Sequence, residues 1–580
     1  MSDILHDPLM LDTWLAKHAT ELDTTEPDYS FVRLWRDAWG DESGGRTFER
    51  RTVSRDPPDV RVECATPETY WVMKSSSFAK GFFGLGVSDI FVRQDYVDLA
   101  GHMITNVVTP TRDLPVSSSD DTVRTMTSMV SPFVSRLPPT RVPPQIMVVT
   151  GSPGVGKTAF LYVLLAFRLN ARQPTLFQRA PNSLLFFTEQ HLYHIRDLDD
   201  VGADFLATAL PPPTWCLVDS NRALPTVPPV VAELNTTVVQ ATSPRRVGLE
   251  WLSKTGFRHV KLYMRPWTVA ELILARGLQL GGRCAAPSER DLATFAERYI
   301  SSARSAYRSA AMDHGELIED QLGLLDYKSF EGMITHAASL DALDISDDII
   351  AFIPGPSYCD FTCTIPTRYL VRAVLRAICA GEGSDARDLY RVLVRIPKLR
   401  GAAGYLLEDI VRDAVPAGGS WRVERLATAP RGAWGHWLRE DATFWLTVTT
   451  SPTCLTISPD KPTTAPGHGP PKVKYYGAGS KQLDDGYFYV PTSSIEATCD
   501  AFFYTERGRS ATVFQCSDGR EHDVDTRGLG FLEGLGVERV VYVGVIPPGR
   551  NTLFKMRLDV DPRLRDLVKE RYVIEFPCSP

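Results

Sequence analysis

Gln145-Ile146-Met147-Val148-Val149-Thr150-Gly151-Ser152-Pro153-Gly154-Val155-Gly156-Lys157-Thr158-Ala159-Phe160-Leu161 decides how the rest of this 580-residue chain is read. Ile146 to Thr150 is a short apolar run of the kind a buried strand carries. Gly151 to Thr158 satisfies G-x-x-x-x-G-K-[ST] at every fixed position, and Leu161, Leu164, Leu165 and Leu169 then recur at helical spacing. The expected order is strand, glycine loop, helix. A nucleoside triphosphate brings several negative charges, which backbone N–H groups meet best where no side chains intervene. The pattern therefore assigns Gly151, Ser152, Pro153, Gly154, Val155, Gly156, Lys157 and Thr158 to ATP or GTP, with the Lys157 ammonium on the β and γ phosphates and the Thr158 hydroxyl on Mg²⁺.

Strand-like runs continue beyond the loop at Ser183–Thr188, Thr214–Asp219, Thr237–Thr242 and His259–Met264. Continuous apolar runs with helix-length spacing predict a parallel sheet covered on both faces, with ligands at the carboxyl ends of its strands. Trp215-Cys216-Leu217-Val218-Asp219 ends in a carboxylate, so Asp219 is the second candidate for the magnesium shell, opposite Thr158. Ser220 follows, where a glutamate that aligns water would favour fast hydrolysis. Val239 to Arg246 ends in hydroxyls and arginines: either Ser243 and one arginine sense the γ phosphate, or this is a polar turn with solvated charges. In Tyr263-Met264-Arg265-Pro266-Trp267-Thr268-Val269-Ala270-Glu271-Leu272, Thr268 and Glu271 have the spacing of a capping box, and amphipathic helix follows to about residue 350.

Length alone calls for three or four units. The boundaries suggested are 1–110, of unknown role, a Pro/Ser/Thr-rich linker at 111–144, a nucleotide-binding core at 145–266, a helical subdomain at 267–398 and a further module at 399–580. Trp14, Phe31, Trp35, Trp39 and Trp71 supply the first region with core candidates. A net charge of −7 and a pI near 5.9 leave polyanion contacts to local patches. The ten cysteines include no C-x-x-C pair, which suggests reduced thiols and an intracellular setting, nuclear or cytoplasmic. The start has no basic n-region before an apolar core, and no run reaches membrane-spanning length, so no membrane partner is expected.

The series G-S-P-G-V-G-K-T, L-V-D, A-T-S-P-R-R and Y-M-R-P-W-T-V-A-E-L resembles the ATPase portion of Crinkler proteins and of the related retrotransposon hot spot proteins. The last element carries most of the resemblance, which covers about residues 80 to 580. The resemblance implies an ATPase joined to a restriction-endonuclease-like module, with DNA as a partner and host or chromatin proteins as further ones.

A nuclease of the PD-(D/E)xK class holds Mg²⁺ on acidic groups and keeps a lysine beside the nucleophile. Gly404 to Val411 reads as an amphipathic helix, with Glu408 at the position of the family's helical glutamate. Glu496–Thr505 and Ala511–Ser517 read as a hairpin about Glu506 to Ser510. That register sets Asp500 opposite Gln515, with Ser517 on the same face as Gln515, where the class keeps its metal ligands and lysine. A serine supplies no cation, and a glutamine carbonyl is a weaker metal ligand than a carboxylate. His522, Lys481 and Arg520 are the nearby alternatives, and Val540 to Ile546 reads as a further buried strand.

The fold class expected is α/β: a P-loop NTPase sheet with a helical subdomain, then an α/β restriction-endonuclease-like domain. Two functions fit. One is an enzyme with Lys157, Asp219, Ser243, Asp500, Gln515 and Glu408 in catalytic roles, its nucleotide cycle gating DNA chemistry. The other is a nucleotide-switched binder of DNA, chromatin or protein with an inactive nuclease fold.

Overall fold

The computed structural model describes residues 8–23, 29–52, 69–74, 89–108, 131–133, 145–196, 209–234, 236–243, 251–252, 259–278, 287–299, 302–308, 314–323, 330, 348–355, 357–381, 390, 393, 400–428, 436–450, 453–462, 472–477, 482–491, 499–506, 509–517, 521–524, 526–547, 555–557 and 562–576. Most of the 111–144 stretch, Arg245, Arg246, Lys481 and Arg520 lie outside the described residues. The chain divides into two compact units, 1–366 and 367–580.

The first unit begins with α1 (Pro8–His18), β1 (Ala19–Glu21), α2 (Tyr29–Ala38), β2 (Phe48–Thr52), β3 (Thr69–Met73), β4 (Ile90–Val92) and α3 (Gln94–Val108). The glycine loop joins β5 (Ile146–Thr150) to α4 (Lys157–Asn170). Then come β6 (Thr175–Ala180), β7 (Ser183–Phe187), β8 (Leu192–Arg196), β9 (Trp215–Asp219), β10 (Thr237–Ala241) and β11 (His259–Tyr263). Helices α5 (Val269–Ala275), α6 (Glu289–Arg298), α7 (Ala303–Arg308) and α8 (His314–Gly323) precede the hairpin β12 (Ala351–Pro354) and β13 (Phe361–Thr364).

The main sheet runs β1-β8-β7-β6-β9-β10-β5-β11. Strands β6, β9, β10, β5 and β11 are parallel, as the uninterrupted apolar runs require. The wholly parallel sheet expected from the sequence is corrected at Ser183–Phe187: β7 is antiparallel to β6 and β8, and β8 is antiparallel to β1. The reason is the connection. Only Pro181 and Asn182 separate β6 from β7, and a parallel crossover needs a dozen or more residues.

Residues before the linker are built into this core. Phe31 lies against Tyr162 and Phe177, with ring centroids 6.2 and 5.5 Å away, and Trp35 Nε1 donates to Thr188 O at 2.8 Å. Helix α4 is buried from Phe160 to Asn170, which is why a run that is apolar on every side still reads as helix.

The second unit holds α9 (Arg368–Gly381), α10 (Arg400–Ala414), β14 (Gly419–Thr428), β15 (His436–Thr450), β16 (Thr453–Ser458), β17 (Val473–Tyr476), β18 (Tyr487–Pro491), β19 (Ala501–Thr505) and β20 (Ser510–Cys516). It continues with β21 (Glu521–Asp523), α11 (Thr526–Gly534), β22 (Arg539–Ile546), β23 (Lys555–Arg557), α12 (Pro562–Leu567) and β24 (Val568–Glu575). The stretch expected as one helical subdomain, 267–398, is thus divided at 366/367, and α9 packs on α10 in this unit. Strands β18, β19 and β20 form an antiparallel meander, and β22 joins β20 in parallel after α11. Phe502, Val513, Leu529, Leu532, Val540 and Tyr542 form the core between this sheet and α11.

Candidate functional site

The loop between β5 and α4 leaves the sheet at its carboxyl edge. Gly151, Gly154 and Gly156 have φ of 143, 75 and 99°, a region that side-chain-bearing residues rarely enter. A Cβ on Gly154 would sit 2.1 Å from Ser302 Oγ, and one on Gly156 2.1 Å from Tyr96 Oη, so neighbours reinforce the requirement. Gly156 is the N-cap of α4 and brings no side chain of its own to the helix's first amides.

Lys157 Nζ donates to Gly151 O at 2.8 Å and Ser152 O at 3.0 Å, which carries the ammonium across the loop. Thr158 Oγ1 donates to Asp219 Oδ1 at 2.8 Å, joining the helix start to the end of β9. Cis ligands of an octahedral ion with bonds of about 2.1 Å lie about 3.0 Å apart. The two oxygens are therefore spaced as one edge of a Mg²⁺ shell, and this hard-oxygen pair fits that ion. Burial pushes the Asp219 carboxyl pKa up, while Thr158, Arg179 and Lys157 pull it down.

Strand β10 lies between β5 and β9, so Ser243, two residues beyond its end and half-buried, follows the strand that separates the glycine-loop strand from the Asp219 strand. Ser220 Oγ accepts from Gln240 Nε2 at 2.8 Å, and Gln240 Oε1 accepts from Trp251 Nε1 at 3.0 Å. The residue after Asp219 is thereby tied into the sheet.

Several residues around this loop went unrecognised in the sequence. Arg93, between β4 and α3, is 2% exposed and meets five acceptors. Its Nε and Nη2 donate to the two Glu271 carboxylate oxygens, each at 3.0 Å. Its Nη1 reaches Val155 O at 3.2 Å and Arg265 O at 3.0 Å, and Nη2 also reaches Pro266 O at 2.8 Å. Asp95 accepts from Tyr358 Oη at 3.0 Å and Arg265 N at 3.2 Å. Arg179 is detectable only as a basic residue near the end of a strand. Nothing in the spacing of Arg93 relates it to a motif 178 residues away.

In the second unit, the hairpin register pairs Ala501 with Phe514, so Asp500 and Gln515 are the next pair outward. Asp500 Oδ2 accepts from Gln515 Nε2 at 3.0 Å and from Cys516 N at 2.6 Å. Arg412 Nε, one turn beyond Glu408 on α10, donates to Asp500 O at 3.0 Å. Glu408 is paired with Arg368 and lies 3.8 Å from Arg412 Nη2. Asp409 takes both Nε and Nη2 of Arg372 at 2.7 Å. Burial raises the Asp500 carboxyl pKa, opposed by the Cys516 N–H, Arg412 and Arg368.

Asp500, Gln515 and Glu408 thus share one neighbourhood, but the carboxylate of Glu408 is met by guanidinium donors and that of Asp500 by amide donors, Gln515 among them. Among the described residues no three of His, Cys, Asp and Glu converge to hold a metal ion. Ser517 continues the ladder through its N–H to Val545 O at 2.9 Å. The His522 side chain lies outside what is described.

No described helix is long and apolar enough to cross a membrane. No family model matches the sequence, and no curated protein matches it. Among solved structures, the RuvB Holliday junction branch migration motor of Thermotoga maritima aligns at 16% identity, covering 52% of this chain and 85% of that chain, with a TM-score of 0.19. A mutant of the same RuvB aligns at 16% identity over 51% and 85%, with a TM-score of 0.18.

Proposed function

We propose that the first unit binds and hydrolyses a nucleoside triphosphate, ATP or GTP, with Mg²⁺ as cofactor. The observation that carries this is the Thr158–Asp219 pair beside a glycine loop spanned by Lys157. When bound, the Mg²⁺ neutralises phosphate charge. Thr158 and Asp219 are its candidate ligands, Lys157 supplies a mobile cation to the β and γ phosphates, and the backbone N–H groups of Gly151 to Thr158, which Pro153 alone lacks, cradle their oxygens. Ser243, two residues beyond the end of β10, is the candidate sensor of the γ phosphate. Turnover is slow, because Ser220 is hydrogen-bonded to Gln240 and has no carboxylate with which to align water. Phosphate release compared between wild type and Lys157→Ala tests this; equal rates would end it.

The second unit is a restriction-endonuclease-like module that binds DNA, chromatin or a protein partner without cleaving. The antiparallel meander β18 to β20, with α11 and the parallel strand β22 after it, supports the fold reading, as does the likeness to Crinkler and retrotransposon hot spot proteins. The guanidinium partners of Glu408 and Asp409, and the amide donors on Asp500, favour the binder over the nuclease. Supercoiled plasmid incubated with Mg²⁺ or Mn²⁺ separates the two: retardation without nicking is expected, and nicking abolished by Asp500→Ala would restore the nuclease reading.

A further inference from the structure

A peptide group is planar and trans, so a carbonyl and the N–H that follows it point in opposite directions. Whatever holds a loop carbonyl on one side aims the next amide to the other. In the glycine loop two consecutive carbonyls are held in this way. Val155 O accepts from Arg93 Nη1 at 3.2 Å and from Trp267 Nε1 at 3.0 Å. Gly156 O accepts from Tyr96 Oη at 3.1 Å, beside the helical bond from Phe160 N at 2.8 Å. The amides turned away from these anchors are those of Gly156, the N-cap of α4, and Lys157, its first residue.

The anchors are themselves fixed. Arg93 has five N–H groups and five acceptors, and its guanidinium lies 5.0 Å from the Trp267 ring centroid. Glu271 holds Arg93 with both oxygens while closing the capping box on Thr268, whose N–H it accepts at 2.9 Å. Three separated stretches of chain therefore meet on one loop peptide: β4 to α3, the glycine loop, and Arg265 to Glu271.

We propose that Arg93, Tyr96 and Trp267 are positioning residues that orient the Gly156 and Lys157 amides for phosphate binding, with Glu271 holding Arg93 in place. This rests on the nucleotide-binding reading and assigns residues outside the glycine loop to it. It gives the Tyr263-to-Leu272 element a physical task, which is to preorganise the loop rather than to touch nucleotide.

The test uses substitutions that keep an aromatic ring in place and remove one hydrogen bond each. Tyr96→Phe retains the ring that lies 5.7 Å from Phe160, and Trp267→Phe keeps an aromatic ring beside Arg93. Affinity for ATP and GTP with Mg²⁺ is measured on the full chain by calorimetry, alongside the thermal midpoint without nucleotide. Each variant is expected to bind about threefold to tenfold more weakly and the double variant about tenfold to a hundredfold, with nucleotide-free midpoints near wild type. Arg93→Lys, which keeps the charge but loses the forked geometry, is expected to weaken binding at least as much as either single variant. Wild-type affinity in the folded variants would overturn the proposal, as would a lower midpoint with unchanged affinity. Absence of binding by wild type itself would instead remove the nucleotide reading on which it rests.

Discussion

Each unit places a buried carboxylate at the end of a sheet strand, and the two treat it in opposite ways. Asp219, at the end of β9, has a hydroxyl as its hydrogen-bonding partner, with the Arg179 guanidinium and the Lys157 ammonium acting on it through charge alone. Asp500, just before β19, is closed by backbone and side-chain amides, and Glu408 by two arginines. A hydroxyl and a lysine exchange partners at little cost when a cation and phosphates arrive. A planar guanidinium that already satisfies a carboxylate does not, because its removal leaves both charges buried and unpaired. The first arrangement is suited to a ligand and the second to a fixed structure.

The comparison breaks most visibly at Lys157. Lys157→Ala should lower phosphate release about a hundredfold or more, the loss expected when a cation acting on the transferred phosphoryl group is removed. Asp219→Asn keeps the shape and removes the charge, and its Mg²⁺-dependent turnover should fall about tenfold to a hundredfold. Recovery of either variant to the wild-type rate would show that the pair serves the fold alone. In the second unit the expected effect is on stability. Arg368→Met should destabilise by about 2 kcal/mol in urea unfolding, because Glu408 loses its main partner while remaining partly exposed. A neutral or stabilising result would show that the arginine is not the partner this carboxylate needs.

The smallest effect is on pH dependence. Burial raises the Asp219 pKa, so the folded chain holds that proton more tightly than the unfolded one. The stability this contributes is fully present below the ordinary carboxylate range and is lost as pH rises through the raised folded value. In metal-free buffer the wild type should therefore lose stability relative to Asp219→Asn as pH rises from the ordinary carboxylate range, about 4, through the raised folded value. A difference that does not change with pH would contradict the assignment of this shift.

The strand, loop and helix about Lys157 were legible because the apolar run, the glycines at positive φ and the helically spaced leucines each answer to a local requirement of the backbone. Asp219 was legible for the same reason, as a carboxylate ending an apolar run. The hairpin register that joins Asp500 to Gln515 followed from turn position and the two-residue period of strands. Arg93 was hidden, since its partners lie 62 to 178 residues away and no periodicity links them. The arginines on α9 and α10 were hidden too: a helix with charges at every turn reads as a solvated face until its neighbour is known. The reversal of β7 was missed because β6, with Gln178 and Arg179 near its end, did not present the apolar run sought.

Calorimetric titration of the full chain with ATP and with GTP in magnesium buffer tests the central claim most directly. One nucleotide is expected to bind per chain to wild type, at least tenfold more weakly to Lys157→Ala, and more weakly still when Mg²⁺ is chelated. Heat of binding from neither nucleotide, or equal affinity in the two proteins, would contradict it.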